Sequence, residues 1–478
     1  MPDARIGPGG ATGKRQSPGL WWPGRGEKSE EAGPADLIWI EHHAGSARIG
    51  DPGDARGAGG QGGDNRIVAG DNLAVMTALL PELEGQVPLI YLDPPFATGT
   101  RWARRSAIGS HRGVFDGPMV EQAAYGDVWP GGLAGYLEML WPRLQIAYRL
   151  LAPTGTLFVH VGWQVNSYVR LLLDELFGSD RLLDEIVWHY QTSSGAPLAT
   201  LIKNHATILH YAKGDAWTFN QIKEPWPEAT LRKWQRDAEG RIYRVQSRFG
   251  KRYYIDPEGK RIDDVWEATL ASRSHERTRY PTQKPEALLE RIIRLASQPG
   301  DLVCDFFCGS GTTAAVADRL GRRWLACDRG VFAVQTTRRR LAQAGAGFEV
   351  FEAAGPVREW SVGRMPSGGP EVEVSLASEG GSWQVRLEGM WHPDRESWPE
   401  EARAACRHWH DAIEEWEVDW SYDGSVFRPG FAARRTRRDR SLALESPHVR
   451  LAPGRHLVRV WAIDFLGQAA AWEQELTA

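Results

Sequence analysis

The sequence predicts an α/β protein built on a doubly wound, mostly parallel, Rossmann-like sheet, followed by a small mainly-β C-terminal domain. Three observations carry this. Short apolar runs such as Val87–Leu92 and Thr156–Val161 read as strands buried on both faces. Amphipathic helical stretches alternate with them, strand by helix. Two of the strands run into turns whose residues suit a ligand, and such sheets bind ligands at the carboxyl ends of their strands.

Composition sets the limits. A chain of 478 residues, 42% hydrophobic and 25% charged, has room for two or three globular domains. The net charge of −4 does not advertise a nucleic-acid partner, yet 57 Lys and Arg can still cluster on one face. Most of the 22 tryptophans are expected in cores, with some left for stacking. Four cysteines, Cys304, Cys308, Cys327 and Cys406, do not make a disulfide scaffold. They have no Cys or His partners at zinc spacing, so no metal is expected. No apolar run reaches membrane-span length and no secretory signal opens the chain, so a cytoplasmic protein is expected.

Residues 1–64 are rich in Gly, Pro, Lys and Glu and read as disordered or linker, with a short strand at Leu37–Ile40. The adjacent His42 and His43 have no partner ligands nearby. Order begins at the strand Arg66–Ala69, which ends in Gly70-Asp71-Asn72. Asp71 or Asn72 caps a helix with Leu73, Met76, Leu79 and Leu80 on one face. The next strand, Val87–Leu92, runs into Asp93-Pro94-Pro95-Phe96. The prolines fix φ and lack N–H donors, so their carbonyls project with little freedom. Read alone, the stretch is more often a strand-ending turn than a site.

Arg101–Tyr125 reads as a polar, glycine-containing loop, either a plain surface loop or a lid. A helix over Tyr136–Leu151, a turn at Pro153-Thr154-Gly155, a strand over Thr156–Val161 and a helix over Asn166–Phe177 closed by Gly178 follow. Ile186–Trp188 and Thr207–Tyr211 are further strands. Trp217–Arg279 breaks the rhythm: Arg232, Lys233, Trp234, Arg236, Arg241, Arg244, Arg248, Lys251, Arg252, Tyr253 and Tyr254 interleave cations with rings. Such a surface suits nucleic acid, since phosphates take the charge and bases stack on rings. A solvated insertion with a hairpin at Asp256-Pro257-Glu258-Gly259 is the competing reading.

Regular structure resumes at Thr282-Gln283-Lys284-Pro285, where Pro285 opens a helix to Ser297. The strand Asp301–Phe307 reads into Cys308-Gly309-Ser310-Gly311-Thr312-Thr313, then a helix to Leu320. A glycine turn between strand and helix lets a ligand approach backbone and the helix N-terminus. A second strand, Arg323–Cys327, ends in Asp328, about twenty residues past that turn, where nucleotide folds place a carboxylate for ribose hydroxyls. The turn has neither Gly-Lys-Ser/Thr nor Gly-x-Gly-x-x-Gly, which favours an adenosyl cofactor with little or no phosphate over ATP or NAD.

Together these residues resemble the site-specific DNA amino-methyltransferases of the adenine-N6 and cytosine-N4 kind. Asp93-Pro94-Pro95-Phe96 matches their catalytic tetrad. Asp305-Phe306-Phe307-Cys308-Gly309-Ser310-Gly311 matches their cofactor motif, and Tyr280-Pro281-Thr282-Gln283-Lys284-Pro285 the motif before it. Catalytic motif first and cofactor motif last is the order of the permuted β group, and the match runs from about Arg66 to Gly345. The resemblance implies S-adenosylmethionine as methyl donor. It places Phe307, Gly309 and Gly311 along the methionine and adenosine moieties, Asp305 at the methionine amino group and Asp328 at the ribose. Thr282 and Lys284 complete that pocket, with Asp71 nearby. Phe306 stands where the family usually has proline, and Gly162 where relatives often carry an acid.

The implied organisation is a methyltransferase domain over residues 65–354, with 217–279 inserted for target recognition. A linker over 355–370 and an accessory domain over 371–478, expected to be immunoglobulin-like, follow. Within that domain Glu371–Leu376, Trp383–Leu387 and Leu457–Ile463 read as strands and Pro399–Ile413 as helix. Arg434-Arg435-Thr436-Arg437-Arg438 reads as a solvated basic loop more readily than a DNA contact.

The chemistry asks for these residues. An exocyclic amine is a poor nucleophile because its lone pair is delocalised into the ring. Asp93 and the Pro94 carbonyl can accept its two hydrogens and expose that lone pair, while Phe96 stacks on the base. The base must leave the duplex to reach them. Adenine-N6 is the expected target, with cytosine-N4 the alternative and a non-catalytic nucleic-acid-binding protein the alternative of another class. Double-stranded DNA is the expected partner. A homodimer and a restriction nuclease partner are left open.

Overall fold

The computed structural model describes residues 19–22, 25, 33–45, 65–109, 119–190, 199–246, 251–271, 274–354, 369–436 and 439–478. The strand Leu37–His43 (β1) comes first. Arg66–Ala69 (β2), the helix Asn72–Leu83 (α1) and Val87–Leu92 (β3) follow, then Arg101–Ala107 (β4) and Met119–Gly126 (β5), which pair as an antiparallel hairpin. Leu133–Leu150 (α2), Leu151–Val161 (β6), Asn166–Phe177 (α3), Leu182–His189 (β7) and His205–Ala212 (β8) complete the first half.

The middle segment holds Lys223–Glu224 (β9), Glu228–Lys233 (α4), Gln235–Arg236 (β10), Ile242–Gln246 (β11), Lys251–Tyr254 (β12), Lys260–Arg261 (β13) and Val265–Glu267 (β14). Glu286–Ala296 (α5), Leu302–Asp305 (β15), Thr312–Arg319 (α6), Arg323–Asp328 (β16), Val331–Gln343 (α7) and Phe348–Ala353 (β17) return to the alternating pattern.

These strands make a 10-stranded sheet in the order β1-β17-β2-β16-β15-β3-β6-β8-β7-β14. From β17 to β6 every neighbour is parallel. Side chains alternate between the two faces, as the pleat demands. On β3, Leu89 and Tyr91 join a core with Leu289, Ile292, Val316 and Val334, so α5, α6 and α7 cover that face. Ile90 and Leu92 join the opposite core with Leu79, Leu144 and Leu172, so α1, α2 and α3 cover the other. The sheet is doubly wound, as predicted, but mixed: β8 runs antiparallel to both β6 and β7, and β1 antiparallel to β17. An apolar run shows burial and not direction, so β8 could not be told from a parallel strand.

Glu371–Glu379 (β18) and Ser382–Trp391 (β19) form a hairpin. After Glu400–Ala405 (α8), the strands Ile413–Asp419 (β20), Phe431–Arg434 (β21), Arg455–Asp464 (β22) and Ala469–Thr477 (β23) form a second antiparallel sheet, ordered β21-β20-β22-β23. Both sheets contribute to one core, with Val385 and Leu387 from the hairpin and Trp416, Val418, Val458 and Val460 from the larger sheet. The C-terminal part is therefore a small two-layer β sandwich.

Several expectations are corrected. The short strand expected at Leu37–Ile40 runs on to His43 and, set there within a linker region, is instead an edge strand of the main sheet. Its seven residues include four with charged or ring side chains, which hides the pattern. Arg101–Tyr125 is a hairpin rather than a loop, with residues 110–118 outside those described. Asp256–Gly259 joins β12 to β13, which pair with different partners, so it closes no hairpin. Val265–Glu267 lies inside the expected insertion yet extends the main sheet beside β7. The helix expected over Pro399–Ile413 stops at Ala405 and, after a short 3-10 turn, the chain becomes β20.

The basic run is corrected too. Arg434 pairs with Glu415 and Glu417, and Arg435, 1% exposed, donates to the Ile413 and His410 carbonyls. Neither is a solvated cation or free for DNA; Arg437 and Arg438 lie outside the described residues.

The sandwich is seated on the sheet by a buried charge network. Arg338 of α7, fully buried, holds Glu41 of β1 at 2.5 Å and Glu415 of β20 at 2.8 Å, and also contacts Glu417. Burial opposes its charge, but the three carboxylates overcome that and raise its pKa. Backbone bonds between Ile40 and Phe427 (3.0 Å) and between His42 and Phe427 (2.9 Å) tie β1 to the same domain.

Candidate active site

Four neighbouring parallel strands, β2, β16, β15 and β3, each end in or run directly into an aspartate: Asp71, Asp328, Asp305 and Asp93. They open onto a cavity of about 270 Å³ that Asp127 also lines. Of the residues predicted for the site, Asp71, Asp93, Pro94, Pro95, Phe96, Thr282, Lys284, Asp305, Phe307, Gly309 and Asp328 line this cavity. Gly311 is not in its wall. A side chain there would meet Thr337 Cγ2 at 2.6 Å, and its φ is +69°, so this glycine serves the turn's geometry and close helix packing.

Asp93 sits between two partners. Lys284 Nζ contacts its Oδ2. His160 Nδ1 lies 3.2 Å from Oδ1, but its aligned hydrogen bond is to the Tyr91 hydroxyl at 3.1 Å, which leaves Oδ1 buried with no aligned donor. Burial works against the charged form of Asp93, yet Lys284 and then His160 outweigh it and hold the carboxyl below its ordinary range. Burial also lowers the pKa of His160, against the pull of Asp93. Lys284 thus does most to keep Asp93 ionised, while burial disfavours a proton on His160. Phe96 meets the His160 ring edge-on at 5.2 Å and lies 5.5 Å from the Lys284 ammonium.

The turn after the tetrad is held by Asp127, 1% exposed. Its carboxylate accepts from the Phe96, Ala97 and Thr98 amides at 3.2, 2.8 and 2.8 Å, from the Thr98 hydroxyl at 2.7 Å and from Trp129 Nε1 at 3.1 Å. This cradle sustains a left-handed φ of 55° at Ala97, a conformation that costs a non-glycine residue about 1 kcal/mol or more.

On the other side, Asp305 accepts from the Phe307 amide at 3.0 Å and the Thr313 hydroxyl at 2.5 Å. Burial, abetted by Asp93 and Asp328, pushes its carboxyl up to about 7 against those two hydrogen bonds. Asp328 accepts from the Gly309 and Gly330 amides, both at 2.9 Å, and burial raises its pKa as well. Asp71 caps α1 through the Leu73 amide and pairs with Arg143 at 2.8 Å. Phe306, in the place usually held by proline, is fully buried in the core. At Gly162 a side chain would meet Gln164 Oε1 at 2.5 Å and the Phe96 ring at 3.0 Å, so an acid there would press on that ring.

Asp127, His160 and Tyr125 are the residues the sequence reading missed. His160 left a trace, a lone polar residue inside the apolar run Thr156–Val161. Asp127 left none, being one acid in a polar stretch 31 positions from the amide it serves first. Lys284, expected in the cofactor pocket, also reaches Asp93.

A mixed α/β sheet with an acid-lined cavity at its carboxyl edge, a glycine turn on one side and a buried aspartate on the other suits a cationic ligand. The DNA methylase family signature matches residues 87–339, over half of the chain. The chain belongs to this family, the N6/N4 DNA methyltransferases that use S-adenosylmethionine. It is 28% identical over 331 residues to the Type II methyltransferase M.EcaI of Enterobacter cloacae, covering 58% of this chain and 69% of that one. It is 33% identical over 279 residues to M2.LlaDCHI of Lactococcus lactis subsp. cremoris, covering 58% and 88%. The crystal structure of an M1.HpyAVI–SAM complex aligns with 58% of this chain and 98% of its own at 20% identity and a TM-score of 0.36.

The residues present suit that cofactor. Its sulfonium and ammonium charges match a wall of carboxylates. Gly309, at φ +50°, has no side chain where one would meet the Tyr280 ring at 3.2 Å, so backbone is open to the cavity.

Proposed function

We propose that this chain methylates the N6 amine of adenine in double-stranded DNA at a specific sequence, acting on a base turned out of the duplex. The observation that carries the reading is Asp93 Oδ1, an ionised, buried acceptor without an aligned donor, at the head of Asp-Pro-Pro-Phe. A buried acceptor left unpaired is costly, and an amine hydrogen satisfies it. S-adenosylmethionine supplies the electrophilic methyl group. Asp305, Phe307, Gly309, Asp328 and Thr282 would hold it, with Asp305 toward its amino group and Asp328 toward its ribose.

The chain's own residues do the rest. Asp93 and the Pro94 carbonyl accept the two amine hydrogens and draw the nitrogen toward tetrahedral geometry. Phe96 stacks on the base. Lys284 now stands beside Phe96 and against Asp93 Oδ2, where the target must come, so its flexible stem swings aside as the base enters. Once methylated, the nitrogen is a strong acid. Even a carboxylate with a lowered pKa, or water, can then take its proton. In-line positioning of amine and methyl group provides most of the acceleration.

Residues 217–279 are assigned to target recognition. Their exposed three-stranded sheet, β10-β11-β12, sets Arg241 over Tyr254 at 4.7 Å, Arg244 over Trp234 at 5.5 Å and Lys251 over Tyr253 at 5.4 Å. Cations and rings at such spacing meet phosphates and bases. Cytosine-N4 remains the second reading, because one mechanism serves both amines; aspartate rather than serine at position 93 favours adenine. The deciding experiment transfers labelled methyl groups to unmethylated DNA, digests it to nucleosides and maps the modified context. N6-methyladenine is expected. N4-methylcytosine would shift the target, and no transfer by folded, cofactor-bound enzyme would refute the activity.

A further inference from the structure

Hairpin β4–β5 leaves the catalytic turn, crosses the cavity and ends against the C-terminal sandwich. The mechanism above does not use that last contact. At the inner end, Trp102, Ala124, Tyr125 and Gly126 line the cavity. Tyr125 stacks with Trp102 at 6.3 Å, and its hydroxyl lies 3.0 Å from Thr282 Oγ1 across the opening. A methyl group on Gly330 would lie 4.0 Å from the Ala124 carbonyl, so the hairpin rests over the Asp328 turn, the cofactor side. Thr282 itself is held at a left-handed φ of 59°.

At the outer end, Arg440 donates to the Ala107 carbonyl at 2.8 Å and the Gly109 carbonyl at 3.2 Å, while the Gly109 amide donates to Asp411 O at 3.1 Å. Arg440 also holds Glu414 at 3.0 Å through Nη1. Ile108 and Val120 of the hairpin are buried in a small apolar core completed by Trp398, Ala402, Cys406, Ala412 and Phe465. That core is separate from the two that flank the main sheet and from that of the sandwich. A two-stranded ribbon is at best marginally stable alone in water, so one that covers a ligand cavity needs an outside hold.

We propose that the C-terminal domain is a positioning element for the cofactor: through Arg440 and the Trp398–Phe465 core it grips Ala107–Gly109, keeps Tyr125 against Thr282 and so holds the hairpin over the cofactor side of the cavity. This rests on the cofactor assignment above. Arg440 is a positioning residue; it reaches backbone carbonyls of the hairpin and acts through Tyr125.

The test uses the full chain with Arg440→Ala and Arg440→Lys. Lysine keeps a cation beside Glu414 but lacks the planar fork that spans two carbonyls, so it guards against simple misfolding of the alanine variant. Amide exchange over 101–107 and 119–126 is read in cofactor-free protein, and S-adenosylmethionine affinity by calorimetry. Losing two charge-assisted hydrogen bonds should speed hairpin exchange and raise the cofactor Kd by about tenfold in both variants. Tyr125→Phe should have a similar effect on Kd, and the double variant with Arg440→Lys should be far less than additive. Unchanged hairpin exchange, unchanged Kd or strict additivity would each overturn the proposal. A wild-type chain that failed to methylate DNA would count against the proposed function and leave these two readouts standing.

Discussion

Asp127→Asn isolates the cradle beneath the catalytic turn. The substitution keeps size and shape and replaces one carboxylate oxygen by an NH2 group. As placed here, Oδ1 serves the Ala97 amide and Trp129 Nε1, while Oδ2 serves the Phe96 amide, the Thr98 amide and the Thr98 hydroxyl. An asparagine oxygen can keep the first pair, but its nitrogen then faces two backbone donors; turned over, it opposes the other pair. The Thr98 hydroxyl can rotate to accept, so two donors lose their acceptor either way. At about 1–3 kcal/mol for each partly buried unsatisfied group, the loss is about 4 kcal/mol, a large fraction of a typical folding free energy. Urea unfolding at constant m-value measures it. Because the turn positions Phe96 and sustains the strained Ala97, turnover should fall with stability even in the cold, where the variant stays folded. A loss below about 1 kcal/mol with wild-type turnover would show that the cradle holds nothing that matters, and the argument from it would fail.

Three further outcomes are expected. Asp93→Ala should cut methyl transfer by about a hundredfold or more while leaving S-adenosylmethionine affinity near wild type, measured by labelled transfer and calorimetry. In Asp305→Asn the pH dependence of stability should change. Below the ordinary carboxylate pKa both states hold the proton. As pH rises from 3.8 toward about 7 the unfolded chain releases a proton that the folded chain keeps, so the wild type loses up to about 4 kcal/mol across that window. The asparagine variant should escape that loss, gaining on the wild type between pH 4 and pH 8 in denaturant titrations, and a parallel pair of curves would contradict the raised pKa. Arg338→Met should cost about 3–5 kcal/mol in urea unfolding, because Glu41, Glu415 and Glu417 are left buried around an apolar side chain.

The sheet was legible wherever a strand was buried on both faces. Val87–Leu92 and Thr156–Val161 announced themselves by composition, and the helices between them by their apolar stripes. Direction was not legible, since β8, antiparallel to both its neighbours, is as buried as the parallel strands. Strands rich in charged residues were the harder case. Residues 413–419 are all buried in the structure, yet four of the seven are acidic: arginines from α7 and β21 pair with Glu414, Glu415 and Glu417, and the Ser421 and Arg428 amides serve Asp419. No local pattern can show that Ile413–Asp419 is a strand when the reason lies in Arg338, 77 positions from Glu415. The site divides the same way. Asp93, Asp305 and Asp328 stand at strand ends that their own apolar runs mark. Asp127 and Arg440 act on backbone brought to them by the fold, and nothing beside them in the chain says so.

Glu41 and Arg338 stand 297 positions apart, and Glu417 lies a further 79 beyond Arg338. A chain leaving the ribosome therefore exposes the sheet, the cavity and α7 before β20 exists to meet them. Until then Arg338 has one of its three carboxylates and a hydrated face, and the hairpin over the cavity has no outer anchor. The face around Arg338 is dried only once β20 has been made, so a product that terminates before β20 keeps a wet surface open to proteases.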